Sequence, residues 1–354
     1  MHLLGQEIAL VSVATAVPPY ALEQNDVAAR VHAQFSRSEI VQRLMPVFNT
    51  TGIRRRYSCV PIEWYYDAQS WPQRNSVYLE SAQALLEQAA RDALVRADVR
   101  AADVGAVVVV STTGIATPSL DARLIEPLGL SRTVKRLPIF GLGCVGGAVG
   151  LARAAMMAQA VRPAPVLLLV VELCALWFRR DDTAKSNIVA TALFGDGAAA
   201  AVLQAGGAGP TIRASGEFTF PDTLGVMGWD VADDGLRAIF SRDIPQLVQT
   251  QFQPVVDAYL AESQLTRADV DVFLSHPGGT KVLDALESAF GIAPGSLLDS
   301  RAVLTEYGNM SAVTLLFVLE RALREGALAQ PVWRRALLSA MGPGFTAAFV
   351  TLER

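Results

Sequence analysis

One cysteine, Cys144, sits in the stretch FGLGCVGGA, among Gly141, Gly143, Gly146 and Gly147, with a run of small residues after it. A helix starting there would aim unpaired N–H groups and the positive end of its dipole at the sulfur. That field favours the thiolate, which is the nucleophilic form. The glycines permit a sharp turn and the approach of a bulky substrate. The competing reading is a buried, inert thiol, because free cysteine is among the most buried residue types. His276 is one of three histidines, with His2 and His32. It alone ends a strand-like run, VDVFLSH, before Pro-Gly-Gly. It suits the base or imidazolium partner of a thiolate, and equally a packed loop histidine. Asn309, in YGNMSA, suits a helix N-cap. Beside an imidazole, its amide would instead hold a developing enolate or oxyanion.

The elements that must carry these three groups alternate between strand and helix. Short apolar runs at 8–15, 104–112, 166–173, 198–204, 270–276, 335–341 and 346–353 read as strands covered on both faces. The segment 76–97 has apolar residues at three-to-four spacing, acids early and arginine late, and reads as an amphipathic helix. The class is therefore α/β. The halves echo each other. ALVRADVRAADVGAVVVVSTTG parallels AESQLTRADVDVFLSHPGG, and GLGCVGGAVGLARAAMMA parallels YGNMSAVTLLFVLERALRE. FGDGAAAAVLQ parallels GFTAAFVTLE. The expected halves are 1–205, carrying the cysteine, and 206–354, carrying the histidine and asparagine. Equivalent helix starts would then face one central site.

Composition narrows the class. The chain has 354 residues, 51% hydrophobic, enough for two fused halves. A formal charge of −4 offers no basic surface for nucleic acid. Three cysteines without paired spacing argue against a disulfide framework or a zinc site and fit a reducing, cytoplasmic setting. No basic leader with an apolar core opens the chain, and no apolar run is long enough to span a bilayer. An apolar ligand would still allow peripheral membrane association. Only three lysines are present, Lys135, Lys185 and Lys281.

With these residues in place, the chain resembles the type III polyketide synthases, the chalcone and stilbene synthase superfamily. GLGCVGGA carries the family's cysteine at Cys144, SHPGG its histidine at His276 and YGNMSA its asparagine at Asn309. ALFGDGAAA matches through Phe194, and MGPGF matches the cavity-shaping loop at Met341, Gly342 and Pro343. SRDIP (241–245) and ATAVPP (14–19) also fit. Ketoacyl-ACP synthase III shares the three groups, but follows its histidine with Gln-Ala-Asn and its asparagine with Thr-Ser.

The resemblance implies a duplicated thiolase-like fold in five layers, αβαβα, and a homodimer. It implies loading of an acyl-CoA starter on Cys144 and extension by decarboxylative condensation with malonyl-CoA. No cofactor or metal beyond the CoA substrates is implied. His276 would pair with the thiolate and, with Asn309, hold the enolate, while Phe194 would shield the decarboxylation site. Arg54, Arg56 and Lys281, with Gly278 and Gly279, would meet CoA. Family pocket positions fall on Thr112, Thr113, Cys174, Trp177, Trp229, Ala238 and Ser311, and differ from the plant enzymes at Cys174, Trp177, Trp229 and Ala238. The altered volume suggests a fatty acyl starter and an alkylresorcinol or alkylpyrone product. A short tetrahydroxynaphthalene-like pentaketide is the rival. A ketoacyl-ACP synthase III-like enzyme and a non-catalytic acyl-binding module are the readings outside the family.

Overall fold

Apolar residues fill Ala106–Val110 entirely and Val166–Leu173 but for Glu172, and both segments are buried strands. The computed structural model describes residues 7–241 and 243–354, so His2 and Arg242 of SRDIP lie outside the described residues. The strands are β1 Ile8–Ala16, β2 Tyr20–Glu23, β3 Arg55–Ser58, β4 Ala106–Val110, β5 Lys135–Ile139, β6 Val166–Leu173, β7 Asp196–Ala205, β8 Thr211–Thr219, β9 Met227–Ala232, β10 Gly235–Phe240, β11 Val272–Ser275, β12 Arg335–Gly342 and β13 Thr346–Glu353.

Nine of these strands make one mixed sheet, in the order β11-β12-β13-β8-β1-β7-β6-β4-β5. In its first part β4 runs parallel to β6, β6 antiparallel to β7, and β7 antiparallel to β1. The second part repeats the series: β11 parallel to β12, β12 antiparallel to β13, and β13 antiparallel to β8. The two series join through the register pair Ala9–Thr211 between β1 and β8.

Strand alternation sets the layers. Val108, Val110, Leu168 and Val170 face a central cluster, while Val107, Val109, Leu167 and Leu169 face an outer one. Helices Gly146–Val161 and Val313–Arg324 fill the central layer between the two parts of the sheet. A Cβ on Gly147 would collide with the carbonyl oxygen of Ala312, so glycine lets these two helices start side by side. Helices Trp71–Arg96 and Leu120–Leu128 cover the first outer face. Gln253–Glu262 and Thr280–Phe290 cover the second. The result is the five-layered thiolase-like α/β arrangement.

The long helix starts at Trp71 rather than residue 76, because Ser70 and Gln73 form a capping box and Pro72 occupies the first turn. Strands β2, β3, β5, β8, β9 and β10 go beyond the expected set. β5 is a mostly exposed edge strand with Lys135, Arg136 and Pro138, residues that blunt an edge and mask its signal. Among the described residues, one helical stretch, Gly143–Val161, is long and apolar enough to cross a membrane. It is the central core helix, and 67% of its most apolar window is buried inside the protein.

Candidate active site

Cys144 occupies a short 3-10 turn, Gly143–Val145, that leads into the helix from Gly146. Gly143 has φ of 50°, and a Cβ on it would lie 2.7 Å from Cδ of Pro343. Its N–H donates to Thr112 Oγ1 at 3.0 Å. Behind Thr112 stands Glu172, fully buried at the end of the apolar strand β6. Glu172 Oε2 accepts the Thr112 N–H at 3.0 Å and the Thr113 hydroxyl at 2.8 Å. Thr113 Oγ1 accepts the Leu173 N–H, and its carbonyl accepts Trp177 Nε1–H at 2.7 Å. These partners correct one expectation. Thr112 and Thr113 spend their polar groups bracing the Cys144 turn and are not among the residues that line its cavity. Gly342 and Pro343 likewise pack against the turn from behind.

The opposite wall comes from the second half. His276 follows β11, and its N–H donates to the Ser339 carbonyl at 2.8 Å. Asn309 is tied to the Phe194 loop on both sides: its N–H donates to Leu193 O at 2.8 Å, and Gly195 N–H donates to its carbonyl at 3.0 Å. Its side chain accepts the Ser311 N–H at 2.8 Å and donates to Gly278 O at 3.5 Å. The following helix begins only at Val313, so Asn309 is not its N-cap. Cys144, His276 and Asn309 line one cavity of about 260 Å³. Leu193, Met227, Phe240 and Met341 give it an apolar wall; Gly278, Gly279 and Lys281 lie along another side.

Burial governs the electrostatics. It pushes the Cys144 thiol up to about 12, against opposing hydrogen bonds from the side chains of Ser311 and Asn309. It lowers His276 to about 3, and neither ring nitrogen has a hydrogen-bond partner. Burial also raises Glu172 to about 7, although Thr112 and Thr113 hydrogen-bond its Oε2. The helix-start field expected to ionise Cys144 is thus outweighed by desolvation. Burial therefore disfavours a lone charge on either group.

Several other expectations change. Arg56 is 2% exposed, and its Nη1 donates to the carbonyls of Thr191 and Phe194, so it does not face a CoA phosphate. Arg54 and Arg55 both spend their charge on Glu306 at the surface, with Arg55 at 2.9 Å. Among the described residues, Lys281 is an exposed cation that reaches the cavity. The Phe194 ring packs, tilted, against Trp229 at 5.7 Å and Phe240 at 5.6 Å between centroids. With Cys174, Trp177, Trp229 and Ala238 it lines a second cavity. Phe240 and Met227 face the catalytic cavity, yet neither stood out in the sequence. Nor did Glu172, although a lone acid in an apolar strand was a visible signal.

A cysteine on a helix start, facing a histidine and an asparagine from the second half of a repeated fold, defines a thiolase-like condensing acyltransferase. Two family models match the chain: the N-terminal domain of chalcone and stilbene synthases over residues 5–210, and the C-terminal domain over 211–353. The putative chalcone synthase of Bacillus subtilis (strain 168) is 38% identical over 352 residues, covering 95% of this chain and 96% of the relative. The 1,3,6,8-tetrahydroxynaphthalene synthase of Streptomyces peucetius subsp. caesius is 38% identical, covering 97% and 92%. The crystal structure of the corresponding enzyme from Streptomyces coelicolor A3(2) superposes with a TM-score of 0.92 at 28% identity, covering 98% and 99%. The chain belongs to the chalcone and stilbene synthase family and is a type III polyketide synthase. That membership sets aside the ketoacyl-ACP synthase III and non-catalytic readings.

Proposed function

We propose that Cys144 carries the acyl chain and that His276 and Asn309 hold the oxygen on which charge develops. The observation that carries this reading is the single cavity in which all three meet. The sequence of steps follows from their chemistry. A lone charge on either buried group is disfavoured, so the Cys144 proton passes to His276 and both charges form together. The thiolate attacks the starter thioester, and CoA leaves as its thiol. Malonyl-CoA then loses CO₂, and the resulting enolate oxygen accepts hydrogen bonds from His276 and the Asn309 amide. One such donor is worth about 3–4 kcal/mol of barrier. The enolate carbon attacks the Cys144 thioester, and the thiolate departs to receive the extended chain.

Cavity size bears on the candidate products. A volume of about 260 Å³ falls just below the roughly 300–1,000 Å³ usual for small-molecule sites. It favours a short starter and a compact cyclised product of the tetrahydroxynaphthalene type. A fatty starter leading to an alkylresorcinol or alkylpyrone is the second reading. It is favoured by the separate, mainly apolar cavity behind Phe194, which would have to open to Cys144. Lys281 is assigned to CoA at the mouth. We further read the chain as halves 1–205 and 206–354, supported by the repeated strand pairing, and as a homodimer.

The test is incubation with malonyl-CoA and acyl-CoAs of several lengths, with products and the Cys144 adduct read by mass. Cys144→Ala is expected to give no adduct and no condensation product. Condensation by that variant would remove Cys144 from the role.

A further inference from the structure

Gln24 is not among the residues that line the catalytic cavity, yet segments on its wall are tied to it. It opens the helix Gln24–Gln34 and is buried. Its Nε2 lies 3.2 Å from the Phe48 carbonyl oxygen, 3.1 Å from Thr51 Oγ1 and 3.1 Å from the Ala192 carbonyl oxygen. A carbonyl oxygen only accepts, so the amide nitrogen is the donor, and its two hydrogens are shared among the three. The backbone N–H of Gln24 donates to the Arg54 carbonyl at 2.8 Å.

These partners frame one bank of the cavity. Val47, Thr50 and Thr51 line it, and so does Leu193, the residue after Ala192. The stretch Val47–Thr50 is a single helical turn of which only Phe48 is buried. One turn does not hold its own place. Thr51 spends its hydroxyl inward: Oγ1 donates to the Phe48 carbonyl at 3.3 Å and accepts the Gln24 amide and the Ile53 N–H. Its carbonyl reaches the second half of the chain, accepting Thr280 Oγ1 at 2.7 Å. A Cβ on the next residue, Gly52, would lie 2.9 Å from that same oxygen, so the halves meet closely here.

Hydrogen bonds thus run from Gln24 through Thr51 to Thr280, and Lys281 is the next residue. An apolar side chain of the same length would fill the space of Gln24 and would avoid its Oε1, which is buried without a partner. What such a chain would lose is the directed hold on Thr51.

We propose that Gln24 is a positioning residue for CoA. It fixes Thr51, and through Thr51 the Thr280–Lys281 start of the opposite helix, so that the mouth is preformed for the CoA end of either substrate. The proposal rests on the assignment of Lys281 and the mouth to CoA put forward above. Gln24 has no bond to Cys144, His276 or Asn309, so its loss leaves the chemistry at the sulfur in place.

The test measures the Kd of free CoA by calorimetry, kcat and KM for malonyl-CoA, and alkylation of Cys144 by iodoacetamide. Gln24→Met keeps the length of the side chain and removes every amide bond. Kd for CoA and KM for malonyl-CoA are expected to rise about tenfold, with kcat and alkylation within about twofold of wild type. KM for the malonyl thioester of N-acetylcysteamine, which lacks the nucleotide, is expected to stay within about twofold as well. Thr51→Val removes the same link from its other side. It is expected to weaken CoA in the same way, and the double variant to be no weaker than the weaker single. Thermal melting checks folding, and Thr51→Val decides the matter should Gln24→Met fail to fold. Wild-type Kd for CoA in a folded Gln24→Met overturns this inference, as does a fall in kcat with Kd unchanged or a double variant whose losses add. Lys281→Met separates the two readings. If it binds CoA as tightly as wild type, the assignment of the mouth to CoA falls and this proposal with it. If it binds CoA more weakly while folded Gln24→Met and Thr51→Val do not, this proposal falls alone.

Discussion

The chemistry at Cys144 turns on a proton count. The neutral pair and the thiolate–imidazolium pair hold the same number of protons. Their balance is therefore independent of pH across the range between the depressed histidine, at about 3, and the raised thiol, at about 12. Alkylation of Cys144 by iodoacetamide is accordingly expected to be flat with pH near neutrality. In His276→Ala the thiol must give its proton to solvent. Its alkylation at pH 7 should be slower and should climb about tenfold per pH unit. Peptide mass mapping separates the Cys144 adduct from those on Cys59 and Cys174. A His276→Ala variant alkylated at the wild-type rate and with the wild-type profile would show the histidine is not the acceptor. The candidate site residues stood out in the sequence because each has few rivals: three cysteines, three histidines, and one asparagine set in YGNMSA. Their protonation states were not readable, since desolvation is a property of the folded cavity.

At the scale of elements, the site depends on two helix starts held side by side. Gly147 lies against the Ala312 carbonyl, and Ala312 follows the Asn309–Ser311 turn in which Ser311 has φ of 50°. Gly147→Ala must push these elements apart, and we expect destabilisation of about 1–3 kcal/mol. Adduct formation at Cys144 should also fall, because the turn carrying Asn309 moves away from the sulfur. Urea unfolding and intact-mass loading assays measure the two effects; an alanine variant unchanged in both would refute this account of the packing. Helix and strand identity was legible wherever apolar period was strong, as in β4, β6 and β13. It was not legible in β5 or in the β9–β10 hairpin, whose residues are partly exposed and charged. That hairpin supplies Trp229, Ala238 and Phe240 to the cavity walls, so its absence from the sequence reading hid the partition.

For the whole molecule, Glu172 links the chemistry to stability. Its carboxyl is raised from an ordinary 4.5 to about 7 by burial, and its Oε1 has no partner. Between those values the unfolded chain is ionised while the folded one keeps its proton, so this residue's contribution falls as pH rises from about 4.5 to 7. His276 acts in the opposite sense, because its folded pKa is depressed: the unfolded chain binds the proton first, and stability is lost as pH falls below about 6.5. Comparison with Glu172→Gln isolates the first effect. The stability of wild type relative to that variant is expected to fall by about 3 kcal/mol over the window. A difference that stays constant with pH would show that Glu172 ionises normally in the fold.

The sequence alone determined the repeated α/β order, the candidate site residues Cys144, His276 and Asn309, and the family, because these rest on local apolar period and on rare residue types in fixed neighbourhoods. Tertiary structure decided which arginines face solvent, which threonines brace the nucleophile rather than line the cavity, and that Phe194 and the substituted pocket positions form a separate chamber. Those properties depend on which surfaces of distant segments exclude water from one another, and spacing along a chain carries no record of that.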